Sequence, residues 1–151
     1  MRRLLVLATP LGVAIGIAAS GLAFFSTHGD EPAEMSAGAQ LALAGDTFDL
    51  GNVPADRAVE RTIDFQNTGS SPLVVSIAKV RPAPDAACGC GVEGYEVRPQ
   101  SVPPSGRGQL VFMLRVPEGM PDMEDVMVAQ LSTNDPQRAD VNISLRFRMS
   151  N

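Results

Sequence analysis

The sequence predicts an all-β fold: an immunoglobulin-like antiparallel β-sandwich of about seven strands, preceded by one apolar N-terminal segment. Three observations predict it. Apolar residues recur at every second position in several runs, and clusters of Gly, Pro, Asn, Asp and Ser separate those runs. Beyond the N-terminal segment, no stretch carries the spacing of an amphipathic helix. Strands that each bury one face against a second sheet satisfy all three.

The N-terminal segment comes first. Met1-Arg2-Arg3 leads into an uncharged run from Leu4 to Phe25, twenty-two residues long. As a helix it would reach about 33 Å, enough to cross a bilayer core. Arginines before it, and Asp30, Glu31 and Glu34 after it, orient the amino terminus inward and put everything beyond His28 outside. Ala18-Ala19-Ser20 and Gly21-Leu22-Ala23 offer small residues to a signal peptidase, but the run exceeds the usual ~7–15 residue signal core. Residues 1–25 are therefore expected to remain as a single-pass anchor; cleavage would instead release the rest as an exported protein. Gly12, Gly16 and Ser20, four apart, form a stripe on which two such helices could pack as a homodimer. The ordinary glycine content of apolar segments accounts for it more simply.

Residues 26–44, "STHGDEPAEMSAGAQLALA", are small and polar and read as a flexible tether with a short strand at Leu41 to Leu43. The folded domain is expected over residues 45–151. A short strand at Thr47 to Leu50 opens it. Residues Ala58 to Asn67 follow, with Val59, Ile63 and Phe65 on one face and Glu60, Thr62, Asp64 and Gln66 on the other. Arg61 falls on the apolar side, a mismatch best placed at the sandwich edge. Leu73, Val75 and Ile77 mark the next strand, and Tyr95 to Val97 a short one. Leu110, Phe112, Leu114 and Val116 alternate with Val111, Met113 and Arg115. Val126 to Ser132 and the clean alternation from Val141 to Met149 complete the set.

Five turn-bearing motifs lie along this frame: "FDLGNV" (Phe48 to Val53), "FQNTGSSPLVV" (Phe65 to Val75), "CGCG" (Cys88 to Gly91), "VPPSGRGQLVF" (Val102 to Phe112) and "STNDP" (Ser132 to Pro136). Gly51 suits a kink or bulge, and Asn67-Thr68-Gly69 a turn with a positive-φ position. Pro103 to Gly106 suits a bend, and Asn134-Asp135-Pro136 an Asx-capped turn. In this order and spacing the chain resembles the bacterial domain-of-unknown-function family 1573, related to the Ig-like modules of the ASH and hydin type. The resemblance covers residues 45–151. It implies an Ig-like domain exported by bacteria, and it implies no mechanism; the N-terminal run places the domain at the bacterial cytoplasmic membrane or, if cleaved, free in the periplasm. Members commonly read C-G-C-T after a short approach. Here the approach "RPAPDAA" is long and Gly91 stands in place of the threonine, which predicts a more mobile loop.

Composition narrows the function classes. Without Arg2 and Arg3, ten basic residues face seventeen acidic ones, a net charge of −7, with no Trp and one Tyr, Tyr95. Nucleic acid is a poor match for that surface. The sole histidine, His28, sits in the tether, so no His-dependent triad assembles in the folded domain, and no phosphate-cradling glycine loop occurs. No cofactor is expected.

The chemistry-bearing residues are Cys88 and Cys90, the only cysteines. Cysteines two apart can approach within disulfide range, and outside the cytoplasm they tend to be oxidised. So small a ring is strained and exchangeable. The pair reads as a redox pair, a docking thiol, or two thiols passively paired near a strand end. Zinc is poorly served, lacking four Cys/His ligands. Copper(I) suits thiolates and thioethers, and "GMPDMEDVM" spaces Met120, Met123 and Met127, although Met127 in the core and the others on a loop is the simpler account. Asp122, Glu124 and Asp125 lack the ligand spacing of a calcium loop. The expectation is thus a non-enzymatic, membrane-anchored Ig-like module that binds or supports another envelope protein. Thiol–disulfide exchange through Cys88 and Cys90, and periplasmic copper(I) binding, are the alternatives.

Overall fold

A computed structural model of the chain describes residues 38–150. The apolar run 4–25, its Gly12, Gly16 and Ser20 stripe, and the first part of the tether lie outside the described residues. Within them the fold is all-β. The strands are β1 (Leu41–Leu43), β2 (Thr47–Pro54), β3 (Val59–Asn67), β4 (Leu73–Pro82), β5 (Val92–Arg98), β6 (Ser101–Val102), β7 (Arg107–Leu114), β8 (Met123–Thr133) and β9 (Asp140–Ser150). They form a four-stranded sheet in the order β1-β3-β7-β5 and a five-stranded sheet in the order β2-β9-β8-β4-β6. The expected seven strands are the seven longer ones; β1 is the short strand expected at Leu41 to Leu43, and β6 is the addition.

The alternating residues face each other across the sandwich. Val53, Leu73, Val75, Leu110, Phe112, Leu114, Ala129, Leu131, Ile143, Leu145 and Phe147 are buried in one core. On β7, Val111 is also buried at 3% exposure although its pleat position faces away from that core. Arg98 reaches over this outer face from β5, pairing with Glu96 on its own strand and with Glu60 on β3 at 3.4 Å. Its hydrogen bond to Glu96 is the main influence raising the Arg98 pKa above its ordinary value.

Four features differ from the sequence expectation. First, the sandwich is not wholly antiparallel: β2 runs parallel to β9, with Phe48 beside Leu145 and Val53 beside Met149. The chain enters and leaves the five-stranded sheet in the same direction, so first and last long strands can pair. Second, the tether ends earlier than residue 44. β1 pairs with β3, Leu41 opposite Asn67 and Leu43 opposite Phe65, and Ala39 and Leu41 are buried.

Third, Gly69 does not have a positive φ. A Cβ there would lie 2.1 Å from the Gly38 carbonyl oxygen and 2.7 Å from the Gln40 nitrogen, so glycine is required for close backbone approach. Fourth, Arg61 does more than occupy an edge. The β2–β9 register breaks between Asp49 and Asn52. Arg61 donates from Nε to the Leu50 carbonyl at 2.7 Å and from a terminal nitrogen to the Asn52 carbonyl at 2.8 Å. Its guanidinium thereby supplies donors to backbone acceptors at the bulge.

The turn motifs also hold buried polar ties. Asn67, fully buried, donates to the carbonyls of Ser71 at 2.8 Å and Val102 at 3.0 Å. Its Oδ1 accepts from Gly69 N–H at 3.0 Å and Gln40 N–H at 3.3 Å. Both donors and the acceptor of the amide are thus used.

Candidate functional site

The cysteine loop connects β4 of one sheet to β5 of the other at the end of the sandwich where β8 begins. It is fastened residue by residue. Ala83 N–H donates to the Val126 carbonyl at 3.0 Å, and Ala86 N–H to the Ala83 carbonyl at 3.1 Å, turning the chain back. Gly89 and Gly91 have φ of +63° and +108°. A Cβ on Gly89 would lie 2.5 Å from Pro82 Cγ, and one on Gly91 would lie 3.0 Å from the Phe147 ring. Arg115 N–H donates to the Gly91 carbonyl at 2.7 Å. The mobile loop expected from the long approach and from Gly91 is instead seated on Pro82, Phe147 and β8. Gly91 is what lets the backbone lie against the aromatic ring.

Cys88 and Cys90 are joined in a disulfide with Cα atoms 5.3 Å apart. Closing so short a loop withdraws about 1.6 kcal/mol of chain entropy from the unfolded state, less than the roughly 3 kcal/mol of a 15-residue loop. The core that surrounds the site does not depend on a staple of that size.

Asp125 is the neighbour that sequence reasoning passed over as part of an acidic loop. It is 1% exposed on the core-facing side of β8, one pleat repeat before Met127. Its Oδ1 accepts from Ala87 N–H at 2.8 Å and, more weakly, Cys88 N–H at 3.4 Å. Its Oδ2 lies 3.3 Å from Cys88 Sγ. Cys90 N–H in turn points at Cys88 Sγ from 3.2 Å. Among the described residues, the donor atoms of Cys88, Cys90 and Asp125 all fall within 4.8 Å of one another. The signal was present in the β8 alternation: extending Leu131, Ala129, Met127 back by two places an aspartate on the buried face.

The other candidates separate. Glu124 is exposed while Asp125 is buried, since neighbours on a strand face opposite ways, and the acidic run makes no shared calcium cradle there. Met120 and Met123 are half-buried against the core, and Met127 is within it. Their thioethers are engaged in packing. A thiolate metal site at Cys88 and Cys90 would require the disulfide to be reduced first, and the oxygen donor brought to it is Asp125.

The sheet edges are guarded unevenly. Beside β1, the Asp135 carboxylate accepts Leu41 N–H at 2.9 Å and Arg138 donates to the Leu41 carbonyl at 3.2 Å. On β2, Arg61 takes the carbonyls already named. β6 is two residues long, and the β4 segment beyond it carries a register break between Ile77 and Lys79 and ends in Pro82. Such interruptions and side-chain covers blunt edge pairing. β5 is seven residues long at the end of its sheet, and among the described residues no neighbouring strand pairs with its outer edge. Tyr95 on it is 42% exposed.

No family model matches the chain, and no curated protein does. Among solved structures it is similar to a protein of unknown function from Porphyromonas gingivalis W83, with TM-score 0.54 and 19% identity over 79% of this chain and 51% of that one. The chain spans about half the length of that protein. Lower similarity links it to the ASH/PapD-like domain of human CEP192, at TM-score 0.47 and 9% identity over 91% and 97% of the two chains. It also links it to the Pseudomonas aeruginosa CupB2 chaperone, at TM-score 0.47 and 19% identity over 72% and 55%. Likeness at these identities concerns the fold, and the fold of the described residues is an Ig-like β-sandwich.

Proposed function

We propose that this chain is a non-catalytic, extracytoplasmic Ig-like module that binds another envelope protein by accepting a strand along β5. The observation that carries the reading is the contrast between edges: side chains, brevity or irregularity blunt β1, β2, β4 and β6, whereas β5, past its own register break between Val92 and Gly94, keeps an open run from Gly94 to Arg98. An added strand would gain main-chain hydrogen bonds there, with Tyr95 as an amphipathic contact. Membership of family 1573 belongs to the same proposal and rests on the five ordered motifs. Anchoring at the bacterial cytoplasmic membrane, amino terminus inside, rests on Arg2, Arg3 and the run from Leu4 to Phe25.

The test is site-specific photocrosslinking in intact cells with a photoreactive residue at position 95, and a control at Thr62, an exposed outer-face position on β3. A discrete adduct from 95 and none from 62 supports edge docking. Equal adducts from both positions, or none from either, overturns it. Cell fractionation with intact-mass measurement of the mature chain tests the anchor separately.

A further inference from the structure

We propose that Cys88 and Cys90 form a reversible thiol–disulfide exchange site whose substrate is a protein or peptide dithiol, with Asp125 holding the proton of Cys88 when the pair is reduced. The inference stands independently of docking at β5. It begins with an imbalance. Asp125 is 1% exposed, and its Oδ2 has as neighbour a sulfur that carries no hydrogen while the disulfide is intact. Oδ1 has the Ala87 and Cys88 N–H groups, but a buried carboxylate oxygen without a donor is costly, and reduction supplies one: a Cys88 thiol at 3.3 Å from Oδ2 is placed to donate to it. The buried Asp125 oxygen therefore suits the dithiol at least as well as the disulfide.

The same geometry distinguishes the two sulfurs. Cys90 N–H points at Cys88 Sγ and stabilises negative charge arriving there. The carboxylate oxygen beside Cys88 Sγ opposes an incoming thiolate at that atom, and it opposes a departing thiolate too unless that sulfur is protonated as it leaves. Attack therefore falls on Cys90 Sγ, and Cys88 departs. In the first step the partner's thiol gives up its proton and its sulfur bonds to Cys90 Sγ. The Cys88–Cys90 bond breaks and its electron pair leaves on Cys88 Sγ, which takes up the proton released by the partner's thiol; the new S–H is placed to donate to Asp125 Oδ2. In the second step the partner's other thiol attacks its own bound sulfur, and the mixed disulfide breaks. Cys90 leaves with that electron pair and takes the second proton. The partner dithiol is oxidised to a disulfide, the Cys88–Cys90 pair is reduced by the same two electrons, and no further reactant is needed.

The experiment equilibrates the full-length protein with glutathione redox buffers and reads the thiol state by alkylation and intact mass. Wild type is expected to show one reversible two-electron transition. Asp125→Asn retains an acceptor for the Ala87 and Cys88 N–H groups but no longer gains a donor on reduction. It is expected to move the equilibrium at least tenfold toward the disulfide, about 30 mV for this couple. Cys88→Ser should trap a disulfide-bearing peptide as a stable adduct on Cys90 faster than Cys90→Ser traps it on Cys88. A folded wild-type protein whose disulfide resists excess dithiothreitol overturns exchange. An Asp125→Asn equilibrium within twofold of wild type, or the reverse trapping order, overturns the assigned roles. If Asp125→Asn does not fold, the wild-type 13C resonance of the Asp125 carboxyl decides: a shift on reduction supports the proton-holding role, and an unmoved resonance overturns it.

Discussion

The Asp135 carboxylate accepts the Leu41 backbone N–H at 2.9 Å, joining residues ninety-four positions apart in the chain. Asp135 is 2% exposed, and its other oxygen accepts Gln137 N–H at 2.8 Å. One side chain thus caps its own turn and holds β1 against the sandwich. Asp135→Ala would leave two donors short of partners, at about 2–3 kcal/mol. The expected outcome is a lower urea midpoint, with hydrogen exchange at Leu41 accelerating more than exchange in β8 or β9. Uniform acceleration would mean that β1 is not held this way.

Asn67 uses its amide in both senses, donating to two carbonyls and accepting two N–H groups. Asn67→Asp keeps the shape but turns the donating nitrogen into an oxygen facing the Ser71 and Val102 carbonyls. It is expected to cost about 3 kcal/mol or more at neutral pH and to be worse than Asn67→Ala, because a buried charge with one oxygen turned toward two carbonyls exceeds the cost of a missing group. Denaturant melts of the two variants side by side test the order.

Arg61 spans two carbonyls, Leu50 and Asn52, that a lysine cannot reach together with a single ammonium. Arg61→Met should destabilise by about 1–2 kcal/mol through lost donors at the β2 bulge, and Arg61→Lys by less. If both variants melt with wild type, the guanidinium does not hold the bulge.

Gly91→Thr would install the residue that the resemblance to family 1573 leads one to expect at this position. With φ at +108° and the Phe147 ring 3.0 Å from the added Cβ, it should cost about 2–3 kcal/mol here. The same change is expected to loosen the cysteine loop, seen as faster alkylation of the reduced pair. An unchanged melting temperature would show that the loop re-seats without glycine.

Strand positions were legible in the sequence because burial of alternate residues is a local property. The runs at Ala58 to Asn67 and Val141 to Met149 lie within one residue of β3 and β9. β1 was legible as a short strand at Leu41 to Leu43, but its inclusion in the sheet was not, since the group that secures it is Asp135. At the candidate site, Cys88 and Cys90 were visible, whereas the seating of Gly91 against Phe147 was not. Asp125 was not, because it reads as one acid among three until the β8 pleat assigns each a side.

By itself, then, the sequence determined the all-β class, the places where the chain turns, and the apolar segment that precedes the domain. Tertiary structure alone decided the parallel pairing of β2 with β9, which edge stays open, and which carboxylate meets the cysteines. The reason is physical. A two-residue period records which side of a strand avoids water, whereas a polar side chain's partner is chosen by a fold that brings together residues thirty-seven or ninety-four positions apart.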